Sequence, residues 1–336
     1  MHDPVIVALI IVVVALIFDF TNGAHDSANA IATVVSTKVL SPKTAVLMAA
    51  LLNFVGALVG TSVAHTVGSG IIHPDMVKGS QALVLAALVG AIFWNAFTWY
   101  LGLPSSSSHA LIGGLIGSAV AHGGWTTLNY TSIFQKVVLP LFISPMTGFI
   151  GGYLLMLMLA WLCRSANPRR ANRAFRKLQI VSSAFMATSH GLNDAQKTMG
   201  IITLALFIFH LIPTMEVPLW VKMASASVMG LGTATGGWKI VKTMGHKIFK
   251  LEAIHGFAAE TSAAMVIVAA STVGAPISTT HIISSTVLGV GSSKRLSAVR
   301  WGVAGNMIVA WVLTIPMAAL VGWGMYRLLS MVGFGD

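Results

Sequence analysis

Charge is what this chain has least of. Asp, Glu, Lys and Arg make up 9% of its 336 residues, against about a quarter in an average soluble domain. That is too little charge to cover a water-soluble fold of this length, so a bilayer must be the solvent for most of it. Acids are the scarcer sign, nine against 20 basic residues, for a formal charge of +11. A nucleic-acid binder would carry such an excess as a stripe beside a soluble core. Here the charges fall in short breaks between apolar runs, so no nucleic acid is expected and membrane lipid headgroups are the expected contact. The single cysteine, Cys163, excludes an intramolecular disulfide, and no Cys/His spacing fits a structural zinc site. No Lys or Arg precedes the first apolar run, 5–18, and Asp19 follows it in place of a small-residue cleavage site. That run therefore reads as a membrane segment and not as a signal peptide.

What is present is apolar sequence in long runs. Besides the first, they lie at about 44–66, 81–102, 134–162, 178–210, 217–240, 255–273 and 301–328, with shorter Gly-rich ones at 105–122 and 276–292. This predicts an all-α, polytopic protein of ten membrane segments. Basic clusters at Arg164 to Lys177, Lys239 to Lys250 and Lys294 to Arg300 would then share one face. The positive-inside bias makes that face cytoplasmic and places both termini outside the cell membrane.

The chain also repeats itself. Asn22-Gly23-Ala24-His25-Asp26-Ser27-Ala28-Asn29 returns as His190-Gly191-Leu192-Asn193-Asp194-Ala195-Gln196-Lys197, 168 positions on, which is half the chain. Pro104-Ser105-Ser106-Ser107-Ser108-His109 returns as Pro276-Ile277-Ser278-Thr279-Thr280-His281, 172 positions on. This predicts a tandem duplication: a first membrane repeat over 1–162, a basic cytoplasmic linker over 163–177 and a second repeat over 178–336. Five segments per half would make the repeats inverted, with broken or re-entrant helices at the centre.

Two acids at equivalent places in a duplication point to a shared central site, because a lone carboxylate at membrane depth is costly. Asp26 and Asp194, with the amides of Asn22, Asn29 and Asn193 and the imidazole of His25, form the expected cation-coupling set. The glycines of the motif would allow an unwound stretch whose carbonyls join the carboxylates. The Pro-Ser/Thr strings suit the opposite charge, since Pro, Ser and Thr favour helix N-termini, whose free N–H groups attract anions. Ser105, Ser106, Ser107, Ser108, Ser278, Thr279 and Thr280 are the expected anion donors, with Gln196 and Lys197 nearby. A packing role for a Ser run beside Gly113 and Gly117 competes with this reading, as does an internal pair between Lys197 and Asp194. His109, His190, His281 and Glu260 are placed behind these groups, and Asp19 also falls in apolar surroundings.

In these motifs the chain resembles the inorganic phosphate transporters, the PiT family. The resemblance rests on 23–29, on 191–197 and on the Pro104 and Pro276 strings, and it covers essentially the whole chain. It implies cation-driven symport of inorganic phosphate through a central site built on the two aspartates and the Ser/Thr groups. His25 stands where many members have Asn, which is similar to the proton-coupled bacterial branch. The expectation is therefore a phosphate:proton symporter and not an enzyme. It has no resident cofactor; protons, or else sodium, are co-transported, and a divalent cation carried with phosphate and a homodimeric assembly stay open. Sulfate transport, an anion channel and an intramembrane aspartyl protease are the competing readings. Against the protease, the two carboxyl groups are expected to border one cavity without a direct hydrogen bond, the Ser/Thr strings pointing between them.

Overall fold

In the computed structural model, residues 4–69 and 80–334 are described, and every regular element among them is helical. The first half runs α1 (Pro4–Ser36), α2 (Pro42–Leu58), α3 (Ser62–Ser69), α4 (Gln81–Leu101), α5 (Ser107–Gly123), α6 (Tyr130–Ile133) and α7 (Leu139–Leu162). The second runs α8 (Pro168–Ile208), α9 (Leu219–Thr235), α10 (Trp238–Lys242), α11 (Ala253–Thr272), α12 (Thr279–Lys294) and α13 (Trp301–Met331). Five helices are long and apolar enough to cross a membrane. Leu47, Leu51, Leu154 and Leu320 point outward, each more than half exposed, a surface that water would not tolerate over such an area. Trp125, Tyr130, Trp161, Trp220 and Trp301 lie exposed near helix ends, where amphipathic rings sit at the headgroup level.

Three expectations are corrected. The run 44–66 is divided between α2 and α3, and 217–240 between α9 and α10, so the chain is not ten simple spans. Residues 163–177 are not a free linker, because α8 is already helical from Pro168, capped by Asn167 through the N–H groups of Arg169 and Arg170. Most importantly, α1 and α8 run unbroken through both aspartate motifs. The motif glycines serve close packing instead. A Cβ on Gly191 would stand 2.1 Å from the Asn53 carbonyl oxygen of α2, and one on Gly23 would stand 2.5 Å from that of Met229 in α9. Breaks occur where α5 and α12 begin. Each follows a four-residue extended stretch after a left-handed glycine, Gly102 (φ 69°) and Gly274 (φ 72°).

Packing is reciprocal between the halves. Helix α13 packs on α4 and α5, while α7 packs on α11 and α12; α1 crosses α9, and α8 crosses α2. The last helix of each half thus completes a group begun by the other. Two apolar cores result. Along α1 the chain contributes Val7 to Phe18 to one core and then Ala28 to Val34 to the other; α8 meets them in the opposite order, Phe175 to Ala187 and then Ala195 to Leu206. Between the cores, at matching depths past the middle of both helices, lie the aspartates.

Candidate functional site

Asp26 and Asp194 are buried, 2% and 1% exposed. One atom each from Asp26, Asp194 and His190 lie within 4.8 Å of one another. The two carboxyl groups therefore border one space.

The surroundings of the two acids differ. The Lys197 ammonium donates to Asp194 Oδ1, to Ser108 Oγ at 2.5 Å and to the Ile277 carbonyl at 3.0 Å. On the other carboxylate oxygen, the Thr279 hydroxyl donates at 2.9 Å and His190 Nε2 lies at 3.0 Å. His190 Nδ1 faces Asn53 Oδ1 at 3.0 Å. Among the described residues, Asp26 has one such partner, His25 Nδ1 at 2.5 Å. The far nitrogen of His25 lies 3.1 Å from Thr98 Oγ1 and 3.3 Å from Ser105 Oγ, and these two hydroxyls lie 2.8 Å apart. A metal ion between Asp26, His190 and Asp194 would therefore meet an ammonium on the same Asp194 carboxylate.

Both Ser/Thr strings form helix N-termini. Ser106 caps α5 by accepting from the His109 N–H at 3.2 Å, and Ser278 caps α12 by accepting from the His281 N–H at the same distance. Asn29 reaches from α1 to the second string, donating to Thr280 at 2.9 Å and Thr279 at 3.3 Å. Among the described residues, several buried atoms here have no hydrogen-bond partner: Asn22 Oδ1, Asn29 Oδ1, Asn193 Oδ1 and Ser107 Oγ. Buried polar groups usually have a hydrogen-bond partner, ordered water included. Helix N-termini, free hydroxyls and amides around two carboxylates make a place where an oxyanion and a cation can be held together.

Other expected residues lie elsewhere. Gln196 is turned away from the strings: its Oε1 accepts from the Val63 N–H at 2.8 Å and so caps α3, because the first turn of that helix needs an acceptor. The Asn193 amide donates to Ser271 of α11 at 2.8 Å. The rings of His109 and His281 meet across the two strings, 4.8 Å apart, and His281 stacks on Trp311. Glu260 sits apart from the aspartates, accepting from Thr33 of α1 and from Ser182 and Gln179 of α8. Thr98, Asn53 and Ser271 were not foreseen, since a single polar residue in an apolar helix has no periodic signal to mark it.

Similarity to known proteins gives the family. Residues 22–322 match the model of the PHO4 phosphate transporter family. A Bacillus subtilis (strain 168) protein named "Probable low-affinity inorganic phosphate transporter" is 46% identical over 97% of this chain and 98% of its own length. A Rhizobium meliloti (strain 1021) protein of the same name is 49% identical over 95% and 94%. A solved structure described as "The sodium-dependent phosphate transporter" superposes with a TM-score of 0.88 at 25% identity, covering 97% of this chain and 99% of its own. The chain belongs to the phosphate transporter family and is a membrane transport protein, not an enzyme.

Proposed function

We propose that this phosphate transporter is a proton-driven symporter working by alternating access between two inverted repeats, 1–162 and 178–336. The observation that carries this is one buried centre in which two carboxylates within 4.8 Å meet the N-termini of α5 and α12. Phosphate is held by the Ser105–Ser108 and Ser278–Thr280 groups, and the exchangeable cation by Asp26 with His25, Asn22 and Asn29. A phosphate anion beside bare carboxylates is repelled in a low-dielectric centre. Loading cation and anion together removes that repulsion, so the empty or fully loaded carrier reorients and the half-loaded one does not. The opposite order in which α1 and α8 meet the two cores supports the inverted arrangement, with the basic clusters cytoplasmic and both termini outside.

The test is uptake of labelled phosphate into proteoliposomes under imposed proton and then sodium gradients. Accumulation driven by the proton gradient alone is expected. Accumulation that needs sodium would favour the second reading, sodium coupling, which is in keeping with the solved neighbour described as sodium-dependent. Competition by arsenate but not sulfate separates phosphate from other tetrahedral anions, and a divalent-cation requirement would mark a metal–phosphate complex as cargo.

Two substitutions probe the division of labour. Ser107 Oγ is buried and unpartnered, so Ser107→Ala should leave the melting temperature unchanged while raising the KM for phosphate several-fold. Ser106→Ala also removes the α5 cap and should cost about 1 kcal/mol of stability. An unaltered KM in Ser107→Ala would return the serine run to a packing role. His25→Asn removes the imidazole, the side chain suited to proton exchange near neutrality, from between Asp26 and Ser105. Uptake should lose its proton dependence or gain one on sodium, and unchanged proton coupling would leave His25 a structural neighbour.

A further inference from the structure

Within the duplication, Lys197 occupies the place of Asn29, three residues after the motif aspartate in each half. Both side chains reach across to a Ser/Thr string, Asn29 to Thr279 and Thr280 and Lys197 to Ser108. The geometry of the two positions is thus shared, while one carries an amide dipole and the other a full positive charge. We propose that the Lys197 ammonium is a tethered counter-ion that takes the place of one exchangeable cation at Asp194. This half of the site then takes up no coupling ion during transport.

The contacts around the two carboxylates carry the argument. Asp194 accepts from Lys197 on one oxygen and from Thr279 on the other, where His190 also lies close, so both of its oxygens already have partners. Asp26 meets only His25 among the described residues. A cation entering the centre finds its open carboxylate at Asp26. Lys197 is equally committed: it is 2% exposed, and its three N–H groups have three acceptors, Asp194, Ser108 and the Ile277 carbonyl. None of these is left over for phosphate, so the ammonium acts on the anion through charge and not by direct donation. The tally of formal charge agrees. Among Asp26, Asp194 and Lys197, two carboxylates and one ammonium leave a single negative charge for mobile cations to balance before phosphate enters, whereas an asparagine at 197 would leave two; the fully buried Asp19 is the same in both cases.

The inference rests on the symport reading above, and its test separates the two. In proteoliposomes holding the full-length protein, the membrane potential that stops net flux of labelled phosphate at fixed phosphate and cation gradients gives the charge moved per phosphate. A wild-type protein without gradient-driven uptake would defeat the symport reading itself. Given coupled wild type, Lys197→Asn is expected to raise the charge per phosphate by about one unit and to steepen the dependence of uptake on the driving cation. A merely structural lysine would alter yield or rate and leave that ratio alone, and an unchanged ratio overturns the proposal. If Lys197→Asn folds without transporting, sodium or lowered pH should raise its melting temperature more than that of wild type, and no added rise overturns it. If it does not fold, the Asp194→Asn, Lys197→Asn double variant, which removes both charges, should restore a monodisperse protein. Failure to do so would mean that Lys197 serves something besides the charge of Asp194.

Discussion

Asp194→Asn is expected to abolish gradient-driven phosphate uptake and also to weaken the fold, whereas Asp26→Asn should abolish uptake at a smaller cost in stability. Asp194 is the ionic partner of Lys197, which is 2% exposed and has no other ion pair among the described residues. Removing one member of a buried pair leaves an uncompensated charge, worth about 3–5 kcal/mol of destabilisation. Asp26 is contacted by His25, an imidazole that is neutral once it loses its proton, so no fixed charge is stranded by its removal. Thermal melting of the purified variants, read beside uptake in proteoliposomes, checks both parts. Near-normal accumulation by Asp26→Asn would remove that acid from coupling, near-normal accumulation by Asp194→Asn would remove Asp194 from the transport site, and equal melting temperatures would contradict the asymmetry between the two half-sites.

The second large effect concerns Glu260, which is fully buried and lies away from the aspartates. Its carboxylate gathers donors from two other helices, Thr33 of α1 and Ser182 and Gln179 of α8, while the Thr37 hydroxyl donates to Gln179 at 2.9 Å. Glu260→Ala strands those donors in the core. Each buried group left unsatisfied costs about 1–3 kcal/mol, so Glu260→Ala should lower the melting temperature more than any single Ser→Ala in the strings. Glu260→Gln, which keeps an acceptor oxygen, should recover part of the loss. If the alanine variant melts with wild type, the network does not hold α11 to α1 and α8.

Much of the site was legible because its signals are local and repeated. Scarce charge and long apolar runs require a bilayer as solvent, and no tertiary contact can change that requirement. Recurrence of the Asp and Pro-Ser/Thr strings at offsets of 168 and 172 marked Asp26, Asp194 and the two capped helix starts. Pro and Ser mark helix N-termini through their own backbone chemistry, so Ser106 and Ser278 as caps could be foreseen. The unwound aspartate motif could not be judged in this way. A glycine in an apolar run serves an unwound turn or a close crossing equally well, and the choice was made by the carbonyls of Asn53 and Met229 standing against Gly191 and Gly23.

By itself the sequence determined the solvent, the helical class and the recurring strings that carry the two acids, since composition and repetition do not depend on which helices meet. Tertiary structure decided the rest. It turned Gln196 to the start of α3, seated α13 on the first half and α7 on the second, and placed the Lys197 ammonium on Asp194 instead of leaving it free for an anion. A charge or an amide has several possible partners along the chain, and their energies differ only through distance and burial. Those two quantities do not exist until the helices have crossed.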